Sequence, residues 1–159
     1  MTPRVLSLLL VAALGLAGCS SGSGGGSTPS QKQADKAAQK DPLYALTLMQ
    51  QGSVLLQQER FDDALARFVE ADRIAPGNAT VQNMIGLCHL RLDQFDRALA
   101  SFNTALELIP SYSDARNNRG AAYLALGQFR LAEVDFIAVL GDSTYPHRYE
   151  VYYNLGMTY

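Results

Sequence analysis

The sequence predicts an all-α fold, a superhelix of stacked antiparallel helix pairs, and two observations carry that prediction. From Leu43 onward the chain compares with itself at a 34-residue period. Gly52, Gly86 and Gly120 keep this spacing, as do Phe61, Phe95 and Phe129, then Ala64, Ala98 and Ala132, then Phe68, Phe102 and Phe136. For two copies the register extends to Ala71 with Ala105 and to Pro76 with Pro110. The second observation is that each unit divides into two stretches of helical periodicity around a short polar turn: Gln58-Glu59-Arg60, Asp93-Gln94 and Gly127-Gln128. The second stretch ends near proline, which cannot continue a helix. Each unit is therefore a helical hairpin, and each leaves an apolar face that only the next hairpin covers.

The N-terminus precedes this pattern and has a different logic. Residues 1–18 read as a signal peptide: Arg4 gives one positive charge, Val5 to Leu16 is apolar but too short to span a bilayer, and small residues then precede a cysteine. Leu16-Ala17-Gly18-Cys19 resembles the lipobox of bacterial lipoproteins. That resemblance implies lipidation of Cys19 on sulfur, cleavage before it and a second acylation on its amine. Each buried methylene adds about 0.8 kcal/mol, so more than one chain makes the anchor effectively permanent. Ser20 stands where an aspartate would signal inner-membrane retention, so the resemblance favours the periplasmic face of the outer membrane. The covalent lipid on Cys19 is the only prosthetic group expected; no cofactor or metal is.

Residues 19–41 form the expected linker. Ser20 to Ser30 is almost wholly Gly and Ser, a composition that cannot bury apolar surface; eleven such residues reach roughly 17–20 Å on average. Its Gly22-Ser23-Gly24-Gly25-Gly26 has no following Gly-Lys-Ser/Thr and is not a phosphate loop. Gln31 to Lys40 is charged and rich in Ala and Gln, with too few apolar residues to dock firmly.

Composition narrows the function classes. Of 159 residues, 13 are basic and 15 acidic; Arg4 leaves with the signal, so the mature chain has 12 basic residues and a formal charge of −3. No basic field exists to hold nucleic acid. The two cysteines give no disulfide framework, and with Cys19 lipidated Cys88 is a single thiol in a helix. No catalytic constellation recurs, and the chain is not expected to be an enzyme; an enzyme would need a further domain beyond Tyr159. Cys88 and His89 are adjacent on a helix, about 100° apart, and so cannot share a metal. Asp62-Asp63 marks the start of a second helix, where acidic residues suit the helix dipole.

Within the repeat domain, residues 42–159, the units fall at 45–78, 79–112 and 113–146, with the first helix of a fourth over 147–159. A glycine inside a helix costs about 1 kcal/mol against alanine, so its recurrence calls for a close neighbour, expected to be Ala64, Ala98 and Ala132. The fourth glycine, Gly156, comes two positions late, which places an insertion between Leu140 and His147. Val151, Tyr152, Leu155 and Tyr159 are expected to lack a packing partner, as in a longer natural protein.

This repeat pattern resembles the tetratricopeptide repeat. In that family the first helices line a concave face and the second, fifth, ninth and twelfth residues of each repeat tend to touch the ligand. Carried onto this chain, these are Leu46, Met49, Ser53 and Leu56; Thr80, Asn83, Leu87 and Leu90; Asp114, Asn117, Ala121 and Leu124; and Glu150, Tyr153 and Met157. The set is largely apolar with two asparagines, and Arg91, Arg116 and Arg119 lie off it. An apolar groove with amides suits an amphipathic helix or an extended apolar segment.

A narrower resemblance rests on Asn117-Asn118-Arg119-Gly120, Asp142-Ser143-Thr144-Tyr145-Pro146-His147-Arg148 and Asn154-Leu155-Gly156. These resemble the third-to-fourth repeat junction of type IV pilus pilotin lipoproteins (the PilF, PilW and Tgl kind). The resemblance implies an outer-membrane lipoprotein that binds secretin subunits and promotes their localisation and multimer assembly for pilus biogenesis. The alternative is a scaffold lipoprotein of another envelope complex, serving outer-membrane protein assembly or cell-wall enzymes. The partner is then a secretin subunit or another envelope protein, and the chain itself is expected to be a monomer.

Overall fold

The computed structural model describes residues 41–159; the signal peptide, Cys19 and the linker up to residue 40 lie outside the described residues. Among the described residues there are seven α-helices: α1 Pro42–Gln57, α2 Phe61–Ile74, α3 Ala79–Arg91, α4 Phe95–Leu108, α5 Ser113–Ala125, α6 Phe129–Leu140 and α7 Arg148–Gly156. They pair as α1 with α2, α3 with α4 and α5 with α6, each second helix then packing on the next first helix. None is long and apolar enough to cross a membrane.

Local chemistry sets the helix ends. Asp41 caps α1, its carboxylate accepting from Leu43 N at 2.9 Å, and Pro42 follows where its missing N–H costs nothing. Asn78 caps α3 by accepting from Thr80 N at 2.9 Å. The three turns within hairpins share one left-handed residue at the same place in the repeat: Glu59 (φ 58), Asp93 (φ 56) and Gly127 (φ 70). Only the third copy uses glycine, which adopts this conformation without strain. The acidic pair Asp62 and Asp63 lies in the first turn of α2, as expected.

The core is a run of small seams. Phe68, Phe102 and Phe136 are 1%, 0% and 0% exposed. Each phenyl ring lies against the glycine of its own hairpin: a Cβ at Gly52, Gly86 or Gly120 would come within 2.8, 2.6 or 2.7 Å of the ring. This corrects the expected neighbour, because the close approach at the glycine is to the phenylalanine rather than to Ala64, Ala98 or Ala132. Those alanines are fully buried beside the rings.

The fourth unit departs from expectation in part. Val151 is 0% exposed and packs with Ala132, Phe136, Val139 and Tyr145, and Leu155 packs on the same cluster. Both face backward onto α6, so the preceding hairpin covers them; Tyr152 and Tyr159 remain 55% and 88% exposed. The connection into α7 spans 141–147, against 75–78 and 109–112 at the earlier junctions.

Candidate binding groove

First helices of neighbouring hairpins α3 and α5 touch directly, while no two second helices come as close. The stack therefore curves with its first helices on the inner side. An extended segment or a helix laid along that side would meet successive first helices at fixed intervals.

The side chains of this inner face differ in availability. Leu46, Tyr153 and Met157 are 57%, 66% and 56% exposed. Ser53, Thr80, Asp114 and Glu150 are exposed as well, and Ala121 is half-buried. Met49, Leu56, Leu87, Leu90 and Leu124 are half-buried. Of these, Met49 and Leu56 also pack on the cluster of Ala64, Phe68, Val81 and Ile85, Leu90 on Ala98 and Phe102, and Leu124 on Ala132 and Phe136. They offer an edge to a ligand while filling the joints between helices.

The asparagines stand apart. Asn83 is 2% exposed, accepts from Asn118 Nδ2 at 3.0 Å and donates to Tyr112 Oη at 3.4 Å. Asn117 is 8% exposed, and its Oδ1 has no hydrogen-bond partner among the described residues. The fifth position of these repeats falls where first helices meet, so the amides lie in the seam between repeats rather than on an open ligand face.

Arginines near the groove are also engaged. Arg119 forms a two-pronged pair with Asp135, Nε to Oδ2 at 2.8 Å and Nη2 to Oδ1 at 2.7 Å. Its Nη1 donates to Asn103 Oδ1 at 2.8 Å, and the guanidinium sits 5.9 Å from the Tyr123 ring centroid. Arg116 donates to the Pro110 carbonyl oxygen. Neither is open to clamp a carboxylate, whereas Arg91 is exposed.

The junction at 141–147 is tightly held. Asp142 accepts from Ser113 Oγ at 2.7 Å, from Thr144 Oγ1 at 2.6 Å and from Thr144 N at 3.0 Å. These donors, the Thr144 hydroxyl foremost, keep its carboxyl below the usual carboxylate range. Arg148 Nη1 donates to the carbonyl oxygens of Leu140 and Asp142, both at 2.8 Å. Tyr145 is 7% exposed in the last core cluster, and burial, reinforced by Asp114, pushes its phenol pKa upward.

Two further titratable side chains are held in the core and at a turn. Cys88 is fully buried, and burial pushes its thiol up to about 11. His89 Nδ1 lies 2.9 Å from Gln94 Oε1, tying α3 to its own turn. Among the described residues no group of three or more His, Cys, Asp or Glu is placed to hold a metal.

Fold and groove together define a helical-repeat scaffold for binding protein segments. The family follows: the tetratricopeptide repeat profile matches residues 30–79, 49–113 and 83–142, and the chain belongs to that family. The first repeat domain of Spaghetti (RPAP3), bound to an HSP90 peptide, is 28% identical with a TM-score of 0.69, covering 74% of this chain and 92% of that one. The first repeat domain of the human RPAP3 protein is 25% identical with a TM-score of 0.65, covering 74% and 97%. The TPR2B domain of yeast Sti1, in complex with an Hsp70 partner, is 18% identical with a TM-score of 0.69, covering 73% and 96%, a likeness of fold alone. No curated protein matches the sequence.

Two residues that matter here escaped the sequence pattern: Tyr112 and Asp135. A signal existed for the second. Arg119 and Asp135 replace Ile85 and Ser101 of the previous repeat, two charged departures of opposite sign within one hairpin.

Proposed function

We propose that the chain is an outer-membrane lipoprotein of the pilotin class, anchored through lipid on Cys19, that binds secretin subunits and promotes their assembly into the pore for the type IV pilus. The observation that carries this reading is the junction Tyr145-Pro146-His147-Arg148 leading into Asn154-Leu155-Gly156, in a chain that also has Leu16-Ala17-Gly18-Cys19. The lipid would hold the domain at the periplasmic face, and the Gly/Ser linker would let its inner surface reach a membrane-bound partner.

The groove's chemistry supports an apolar partner segment. Leu46, Tyr153 and Met157 present apolar surface, and Asp114 and Glu150 are exposed beside them. The HSP90 peptide held by the Spaghetti domain, SRMEEVD, ends in acidic residues. An acidic segment of that kind would meet Asp114 and Glu150 here, with Arg116 and Arg119 already engaged.

The test is an immunoblot of detergent-resistant secretin multimers in outer membranes from cells with and without the gene. Loss of the multimer with monomer still present supports the pilotin role. An unchanged multimer rejects it and leaves a scaffold for another envelope complex. A Cys19→Ala chain that still fractionates with the outer membrane would contradict the anchor.

A further inference from the structure

The outer faces of the three second helices differ, and α6 is the exception. At matching positions of the repeat α2 and α4 have Asp62 and Asp96, Asp63 and Arg97, Glu70 and Thr104, and Arg73 and Glu107, where α6 has Arg130, Leu131, Ala138 and Gly141. Four polar places have become one cation and three apolar or bare ones. Val134 and Ile137 complete the face, 64% and 53% exposed, with Leu131 at 48%. A hairpin stacked after it leaves such a surface open. Val69 of α2, at the register of Ile137, stays 49% exposed with the second hairpin in place, and Ala66 and Ala100, at the register of Val134, are both exposed in hairpins that another hairpin follows.

Arg130 says what this face meets. It lies in the first turn of α6, where α2 has Asp62 and Asp63 and α4 has Asp96. A cation there opposes the helix dipole and weakens its own helix, whereas the same charge is favourable at the C-terminal end of another helix. The C-terminal end of α6 offers such a place. Its last turn has no basic residue, and Gly141 leaves the Ala138 carbonyl oxygen uncovered, 3.2 Å from where a Cβ would stand. Asp142 N bonds to Val139 O at 3.0 Å instead, and Arg148 takes the Leu140 and Asp142 oxygens.

We propose that this face of α6 is the contact between two copies of the chain, packed as antiparallel helices about a two-fold axis. Antiparallel pairing brings Arg130 of each copy to the last turn of α6 in the other, beside Gly141 and the Asp142 carboxylate. Val134 of one copy then meets Ile137 of the other, twice, and Leu131 lies beside Ala138. Bulk from the N-terminal half meets small residues from the C-terminal half, and the cation meets the negative end of a helix. The face is thus its own complement, the requirement of a two-fold interface. The contact needs neither the lipid nor the secretin and stands apart from the pilotin reading. One helix of 12 residues per copy buries less than the roughly 800 Å² per partner of a standard interface, so the expected monomer pairs weakly, with a Kd on the order of 100 µM.

Sedimentation equilibrium of the chain from residue 19, with Cys19→Ser, over about 10 µM to 1 mM tests this. The apparent mass should rise from monomer toward dimer across that range. Val134→Glu, at the centre of the contact, should hold the chain monomeric throughout. Arg130→Asp restores the residue that α2 and α4 have and separates two roles. The dilute chain should melt no lower than the parent, while the dimer weakens on the order of tenfold or more, because each dimer has the contact twice. Both positions are exposed, and circular dichroism should show the fold unchanged. A parent chain that stays monomeric at the highest concentration, or a dimer untouched by Val134→Glu or by Arg130→Asp, overturns the proposal. A dimer abolished by Tyr152→Glu but not by Val134→Glu overturns it too, assigning the contact to α7.

Discussion

Inside the hairpins the packing is the same three times, and between them it is different each time. Each hairpin closes with a phenylalanine over a glycine and a buried alanine one turn earlier. The first seam between hairpins is apolar, built from Ala64, Phe68, Val81, Ile85 and Cys88. The second adds Asn83 with Asn118 and Tyr112, and Arg119 reaching back to Asn103. The third is fastened by Asp142, Arg148 and Tyr145. Uniform packing within hairpins makes the fold and says nothing about the partner. Individuality resides at the seams, and it rises toward the C-terminal end.

The largest expected effect comes from breaking the uniform part. Phe102→Ala should cost about 3–5 kcal/mol in urea unfolding, the range for emptying an aromatic from a core. Gly86→Ala should cost about 1–3 kcal/mol despite its better helix propensity, since its Cβ would lie 2.6 Å from the Phe102 ring. Equal stability of Gly86→Ala and the parent would undo the account of the repeated glycine.

Next in size is the largely buried ion pair that joins the two helices of the third hairpin. Asp135→Ala leaves Arg119 partly buried without its partner and should cost about 2–3 kcal/mol, below the full range for buried pairs because the arginine is 21% exposed. A double-mutant cycle with Arg119→Met should return a coupling of about 1–2 kcal/mol.

A smaller loss is expected at the second seam. Asn83→Ala removes the acceptor for Asn118 and should cost about 1–2 kcal/mol, read by the same unfolding curves.

The smallest effect is a pH dependence at the third seam. Burial raises the folded-state pKa of Tyr145 above its unfolded value of about 10, so its contribution is complete below that pH and lost as pH rises through the folded value. Stability should therefore fall above about pH 10, and Tyr145→Phe should flatten that part of the profile. An unchanged alkaline limb in Tyr145→Phe would remove Tyr145 as its source.

The repeat was legible because hairpin packing imposes one residue type at one position in every unit. Glycine, phenylalanine and alanine therefore aligned with one another, and the turns followed. The partner of each glycine is the phenylalanine and not the alanine, because spacing alone does not say which residue of the facing helix reaches it. Val151 and Leu155 find their cover on α6, which precedes them, a contact that counting repeat units forward from α7 does not show. Asn83 and Asn117 look like ligand contacts by position, yet both are buried, Asn83 where α3 meets Asn118 of α5 and Asn117 beside Tyr145 of the next junction. Seam contacts such as Arg119 with Asp135 left only a paired departure from the repeat, which periodicity treats as noise.

The most direct test of the central claim combines the groove with the proposed partner. Leu46→Glu and Tyr153→Glu, introduced together, alter only exposed positions of the inner face and should leave the fold intact by circular dichroism. In cells lacking the native gene, this variant should remain in the outer-membrane fraction yet fail to restore detergent-resistant secretin multimers. Multimers at the parental level would contradict the account, showing that the inner face of the repeats is not where the secretin is held.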